Sequence, residues 1–423
     1  MQSTAVKPLP HAAPVPADEC ALVRGLAARY LELCADPDQA RRRKAWARLN
    51  SLRGEPPLIY VRAFAWHEMP ESRLRCRHPL LRPIENFFRE SLFRSTFDDD
   101  FIFEPWVTMP AVHRLPPGGL WGVSAAWTRP SEEHGAGVWD APIKEEEDLE
   151  KVRPAPHDID EEATLKKEAL LREALGDAIP VAVDRGPLFR MWEADLSNPL
   201  SKLRGLEQVM IDLSERPEWL GMLMDRLRDG VLSAQAAAER AGHLRLIHHE
   251  NQSMRYSEEL PWPSRAGEAV SRKDLWCFCA SQEWTGVGPG MFEEFLVSRQ
   301  RPILEHYGQV AYGCCEDLSR KIGVLSKIPN LRRIAVSPMA DVAACAEQIG
   351  DRWVLSYRPS PADMVSYGWS PERVRSILSR DLAHCRKGHV EISLKDVETV
   401  QGDPQRIRSW VKLARQVIDK TWK

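Results

Sequence analysis

The residues best suited to chemistry fall in two short runs, Tyr312-Gly313-Cys314-Cys315-Glu316 and His248-His249-Glu250-Asn251. A thiolate is both a strong nucleophile and a soft metal ligand, and zinc takes Cys, His and carboxylate together. Cys314, Cys315 and Glu316 are therefore candidate metal ligands, with Gly313 letting the backbone approach a bound group closely. The opposing reading is that a free cysteine only packs, as buried cysteines often do. Two adjacent cysteines also ligate one ion less easily than a C-x-x-C pair. A neutral His249 would ligate zinc or act as a general base. Neighbouring strand residues face opposite ways, so only one of His248 and His249 is expected to enter a site. A histidine at a strand end is more often a hydrogen-bonded structural group.

These runs matter only if the chain brings them together. Eight apolar segments read as buried strands, near residues 101, 179, 245, 276, 310, 334, 353 and 390. Helical patterns fill most of the intervals, around 204–240, 290–307, 317–327, 341–349, 371–386 and 404–421. Alternating strands and helices imply right-handed crossovers and a parallel sheet. Eight strands in this span suit a (β/α)8 TIM barrel with insertions. The rival is an open doubly wound sheet; neither a G-x-G-x-x-G nor a G-x-x-x-x-G-K-[ST] run is present to support it. Ahead of the barrel, 19–97 reads as an N-terminal helical extension with a short strand at Leu58-Ile59-Tyr60-Val61. The barrel proper is expected over 98–423, with a charged insertion at about 129–168 that includes Lys144-Glu145-Glu146-Glu147-Asp148. Barrel catalytic groups gather at the C-terminal strand ends. That rule adds Glu104, Trp106, Asp184, Arg185, Gln282, Glu283, Ser337, Ser356, Arg358, Lys395 and Asp396 to the candidates. Cys277 and Cys279 share one strand face and read as core.

Composition narrows the partners. The 423 residues are 43% hydrophobic and 28% charged, with 58 Lys+Arg against 61 Asp+Glu and a net charge of -3. That balance gives no whole-molecule attraction to nucleic acid or an anionic membrane. The start, MQSTAVKPLPHAAPVPADEC, is interrupted by Pro8, Pro10, Pro14 and Pro16, so residues 1–18 read as a disordered leader and not a secretory signal. No stretch supplies the ~20 apolar residues of a spanning helix. Nine irregularly spaced cysteines fit reduced thiols in a cytoplasmic protein.

The C-terminal half resembles the uroporphyrinogen decarboxylase superfamily. The resemblance is carried by SQEWTGVGPGMFEEFLVSRQRPILEHYG (281–308), VAYGCCED (310–317), IAVSPMADVAACAEQIG (334–350), VLSYRPSPADM (354–364) and VEISLKDVETVQGDPQRIRSW (390–410). It implies a (β/α)8 barrel and, by analogy, a homodimer. True decarboxylases of that superfamily carry an R-Q-A-G-R motif and an aspartate after the first strand. This chain has no such motif, and Phe103-Glu104-Pro105-Trp106 stands near the aspartate's place. The corrinoid-dependent methyltransferase branch holds zinc with a His-x-Cys and a further Cys near the last strand. Cys314 matches that first cysteine, but Tyr312 replaces the His and Lys395-Asp396-Val397-Glu398 contains no Cys. The pattern looks most like divergent members labelled trimethylamine corrinoid protein, without a D-x-H-x-x-G motif for cobalamin.

The resemblance therefore implies a methyltransferase moving methyl between a small methylated substrate, a methyl ether or methylamine, and cobalamin carried by a separate corrinoid protein. Zinc or an acid would activate the leaving group, with Glu283, Glu316 and His249 as catalytic candidates. Trp106, His248, Asn251, Gln282, Arg358, Lys395 and Asp396 would contact substrate. Two other readings stay open. One is a lyase or decarboxylase that pairs a substrate carboxylate with Arg358 or Lys395; the other is a non-catalytic binding protein on the same fold.

Overall fold

The computed structural model describes residues 15–54, 56–62, 64–128, 137–247, 251–265 and 267–422. Its strands are β1 (Leu58–Val61), β2 (Val107–Pro110), β3 (Ala126–Thr128), β4 (Val138–Asp140), β5 (Val181–Asp184), β6 (Trp276–Cys279), β7 (Gln309–Tyr312), β8 (Leu331–Val336), β9 (Val354–Tyr357) and β10 (His389–Leu394). Six of them form one all-parallel sheet in the order β1-β10-β9-β8-β7-β6. The first strand thus lies beside the last, with Leu58 opposite Glu391 and Val61 opposite Leu394. A second parallel pair joins β2 to β5, and β3 and β4 form a separate antiparallel pair in which Trp127 faces Trp139. The main strands are near-continuous apolar runs buried on both faces, as parallel strands covered by helices must be. The helix Gln405–Thr421 lays Ile407, Trp410, Val411, Ala414, Val417 and Ile418 on that core.

The α/β class with a parallel sheet is as expected, but two of the eight anticipated strands are absent. Residues 101–103 are not a strand, because their backbone bonds go to the helix Asp38–Asn50. Arg42 Nη1 donates to Phe101 O at 3.0 Å, Arg43 Nη2 to Phe103 O at 3.1 Å, and Gln39 Oε1 accepts from Phe103 N at 3.0 Å. The same turn caps the outer edge of β1. Asp100 Oδ2 accepts Ile59 N at 2.7 Å and Asp99 Oδ2 accepts Val61 N at 2.8 Å. Carboxylates satisfy donors that a neighbouring strand would otherwise take. Leu244–Ile247 is likewise not a strand: the Leu244 carbonyl accepts Val270 N at 3.1 Å and Arg245 Nη1 at 2.8 Å.

Other boundaries shift for local reasons. Leu58–Val61, read as part of a helical extension, belongs to the main sheet. The helical extension expected over 19–97 begins with two helices, Ala17–Cys34 and Asp38–Asn50, because Pro37 cannot continue the first. The 290–307 helix contains a π-helical turn at Phe292–Val297 and Pro302 inside its last piece. In the charged stretch 129–168, residues 129–136 lie outside the described ones; β4 and a helix begun by the Asp160 cap occupy part of the rest. Residues 1–14 of the expected leader also lie outside the description. Among the described residues no helix is long and apolar enough to cross a membrane.

The β1 edge is testable. Asp100 is buried, binds Ile59 N and pairs with Arg415 at 2.9 Å. Asp100→Ala is expected to cost about 2–4 kcal/mol, because it strands a buried N–H and a guanidinium. Asp100→Asn, which keeps an acceptor, should cost less. Denaturant unfolding of the two variants checks the order.

Candidate functional site

The described strand ends converge on one group of atoms. β7 finishes at Tyr312, and Gly313 follows with φ +99°, in the left-handed region that favours glycine. A Cβ there would lie 2.7 Å from Leu318 Cδ1 and 3.0 Å from Ala335 Cβ. Gly313 therefore admits neighbouring side chains of the fold itself, where the sequence suggested room for a bound group. The turn delivers two thiols: Cys314 Sγ and Cys315 Sγ lie 3.5 Å apart, Cys314 buried and Cys315 exposed. From the end of β10, Lys395 Nζ reaches Cys314 Sγ at 3.3 Å and Cys315 Sγ at 3.1 Å, and also contacts Asp396 Oδ2. Asp396 Oδ2 is itself 3.7 Å from Cys315 Sγ. Cys314 rests on Phe278 and Ala280, with Met191 and Trp192 packed beside them.

This setting splits the two thiols electrostatically. The Cys314 thiol is lowered to about 5, chiefly by a hydrogen bond from Cys315. Burial opposes the shift, while the charges of Arg358 and Lys395 and the Gln252 side chain assist it. Cys315 is pushed up in turn, first by that same bond and then by burial. Burial works against the Lys395 ammonium, but the Cys314 charge and Asp396 outweigh it and raise its pKa. Near neutral pH the cluster is thus one thiolate, one thiol and one ammonium. Such a thiolate is available as a nucleophile without a separate base.

A buried polar chain supports the cluster from beneath. Arg333 Nη2 pairs with Glu391 Oε2 at 3.2 Å, and Ser356 Oγ donates to Glu391 Oε1 at 2.5 Å. Arg358 Nε donates to Ser356 Oγ at 3.4 Å and its Nη1 to Cys314 O at 2.9 Å. Asn251 Oδ1 accepts from Arg333 Nη1 at 3.3 Å. Arg358 therefore fixes the thiol turn and does not stand free for substrate, and Asn251 joins the chain at Arg333. The sequence signal for this network is charged residues such as Arg333 and Glu391 inside strands buried on both faces, which the strand-end rule does not reach.

The carboxylates have structural partners. Glu316 Oε1 accepts Ser281 N at 2.8 Å and Ser281 Oγ at 3.1 Å, and its Oε2 accepts Cys314 N at 2.7 Å. Both of its oxygens are committed to lacing the β6 and β7 ends together. Burial raises its pKa against those donors. Glu283 accepts from Ser197 Oγ and, at 3.1 Å, from Asn198 Nδ2. Behind it Asp195 is buried, with Oδ1 accepting Asn198 N at 2.9 Å and Oδ2 without a hydrogen-bond partner. Burial, followed by the Glu283 charge, pushes the Asp195 carboxyl well up. Gln282 is half-buried on the same turn as Glu283. Trp106 immediately precedes β2 and packs with Ala182 and Ile247, so it sits at the opposite strand end from the one anticipated. Glu104, placed with it in the sequence reading, pairs with Arg43 at 3.4 Å. His248 and His249 lie outside the described residues.

The described residues do not fit zinc. No three His, Cys, Asp or Glu side chains among them are arranged to hold a metal ion. Glu316 spends its oxygens on N–H and O–H donors, and the Lys395 ammonium already contacts both sulfurs.

The arrangement defines an α/β protein whose reactive groups stand at the C-terminal ends of parallel strands. Among solved structures the chain is similar to a methyltransferase from Methanosarcina mazei, with TM-score 0.50 and 12% identity over 90% of this chain and 99% of that one. At that identity the likeness concerns the fold alone. No known family matches the chain, and no curated protein matches it.

The thiolate carries its own test. Ultraviolet titration of thiolate absorbance should show one group ionising near pH 5, absent in Cys314→Ser. Lys395→Met removes a stabilising charge and should move that midpoint upward by about one pH unit. A titration that begins only above pH 8 in the wild type would refute the ion pair.

Proposed function

We propose that this chain is a methyltransferase that takes a methyl group from a small methylated substrate, a methyl ether or methylamine, and passes it to cobalamin on a separate corrinoid protein. The observation that carries the reading is the thiolate–ammonium pair of Cys314 and Lys395 at the strand ends. The fold likeness to a methyltransferase and the sequence resemblance described above support it. In this reading the eight parallel strands complete a (β/α)8 barrel in which residues 244–247 lie between β5 and β6.

Methyl transfer is displacement at carbon: the bond from methyl to oxygen or nitrogen breaks, and the leaving atom needs a proton to depart as a neutral alcohol or amine. The corrinoid supplies the nucleophile. Lys395 Nζ supplies the proton, and the Cys314 thiolate keeps it charged until substrate arrives. Cys315 presents the exposed side of the pair to the incoming substrate. Phe278 and Trp192, in edge contact at 4.8 Å, give Cys314 an apolar neighbourhood. Glu316 and Glu283 act by positioning the β6 and β7 turns. The carboxylate-pairing lyase loses support, since Arg358 is spent on Cys314 O and Lys395 on the thiols.

Demethylation should require both the corrinoid protein and a reductant that maintains Co(I). Lys395→Met should lower kcat roughly 10²–10⁴-fold, and Cys314→Ser, which removes a charge that raises the Lys395 pKa, should move the loss of the ammonium, and with it the alkaline limb of the pH profile, to lower pH. Substrate consumption without any corrinoid would overturn the assignment.

A further inference from the structure

The nine cysteines of the chain are not alike. Burial pushes the thiols of Cys34 and Cys345 up to about 11 and those of Cys76 and Cys385 up to about 12. A thiol held protonated is a poor nucleophile, so these four are inert toward oxidants. Cys314 differs in both charge and company. Its Sγ lies 3.5 Å from Cys315 Sγ, and Lys395 Nζ reaches the two sulfurs at 3.3 and 3.1 Å. Cys315 is exposed, so a reagent in solution reaches the pair from its side.

The turn that carries the pair is fixed. Glu316 Oε2 accepts Cys314 N at 2.7 Å, and Arg358 Nη1 donates to Cys314 O at 2.9 Å, on the peptide group that links the two cysteines. Both sulfurs are thereby kept toward Lys395. A redox-sensitive cysteine needs thiolate character, access to solvent and a second thiol close enough to resolve its first oxidation product. Cys314 supplies the first of these and Cys315 the other two.

We propose that Cys314 and Cys315 are an oxidative modification site, at which a hydroperoxide converts the dithiol into a vicinal disulfide. The Cys314 sulfur attacks the terminal peroxide oxygen. The O–O bond breaks, the OH group stays on sulfur as a sulfenic acid, and an alkoxide or hydroxide leaves. The Cys315 thiol then attacks the oxidised sulfur. The S–O bond breaks, the S–S bond forms, and the Cys315 proton departs with the displaced hydroxide as water. Two electrons thus pass from the sulfurs to the peroxide. The disulfide carries no charge, so Lys395 loses the thiolate that raises its pKa. The proposal rests on the sulfur pair and not on methyl transfer, and its test reads sulfur chemistry and not turnover.

Reduced full-length protein is treated with a few equivalents of hydrogen peroxide, then denatured, alkylated and digested with trypsin. Mass spectrometry follows the peptide 300–320, in which Cys314 and Cys315 are the only cysteines. That peptide should become unalkylated and two hydrogens lighter, about tenfold or more faster than alkylation is lost at Cys76, Cys345 or Cys385. Dithiothreitol should restore both thiols. Cys315→Ser should halt at a Cys314 sulfenic acid, trapped as its dimedone adduct, while Cys314→Ser should leave Cys315 open to alkylation. Wild-type protein whose two thiols alkylate as fully as without peroxide would overturn the site. So would oxidation of Cys314 to a sulfinic acid with Cys315 still a thiol.

Discussion

One ammonium shared by two sulfurs holds the candidate site together. Without Lys395, a buried thiolate at Cys314 would face the cost of desolvation with only Arg358 and hydrogen bonds to offset it. With it, the end of β10 is tied electrostatically to the end of β7, two strands that are not neighbours in the sheet. Beneath, alternating charge runs through Arg333, Glu391, Ser356 and Arg358 to the Cys314 carbonyl. Hydrogen bonds join each member to the next, although Arg333 Nε finds no partner among the described residues.

Much of the scaffold was legible because parallel buried strands announce themselves as unbroken apolar runs. Trp276–Cys279, Gln309–Tyr312 and Val354–Tyr357 are of this kind. The same rule misled at Phe101-Ile102-Phe103, where the apolar side chains pack but the backbone bonds to Gln39, Arg42 and Arg43. Hydrophobicity reports burial; it does not report where a chain sends its N–H and C=O groups. Trp106 was misplaced for the same reason, since moving the strand from 101–103 to Val107–Pro110 reverses which end it occupies.

At the site, the strand-end rule brought Cys314, Cys315, Lys395, Asp396 and Arg358 forward as a set, and they do meet. The division of labour among them was not legible. A carboxylate beside a thiol suggests a metal ligand, yet Glu316 turns its oxygens to Ser281 and to the Cys314 amide. A lysine near a rim suggests substrate contact, yet Lys395 turns to sulfur. Such choices depend on which donors lie within hydrogen-bond reach in three dimensions, and one-dimensional spacing carries no record of them. Asp195, with its unpartnered oxygen behind Glu283, had no signature in the sequence at all.

The position of β10 between β1 and β9 bears on how the molecule is assembled. This strand joins the chain's first parallel strand to the rest of the sheet and carries the cation that neutralises the sulfur pair. During synthesis the thiols emerge some eighty residues before Lys395, so the ribosome exposes a vicinal dithiol without this cation until β10 has followed it. Maturation of the centre and the joining of β1 to the sheet therefore both wait on the same strand.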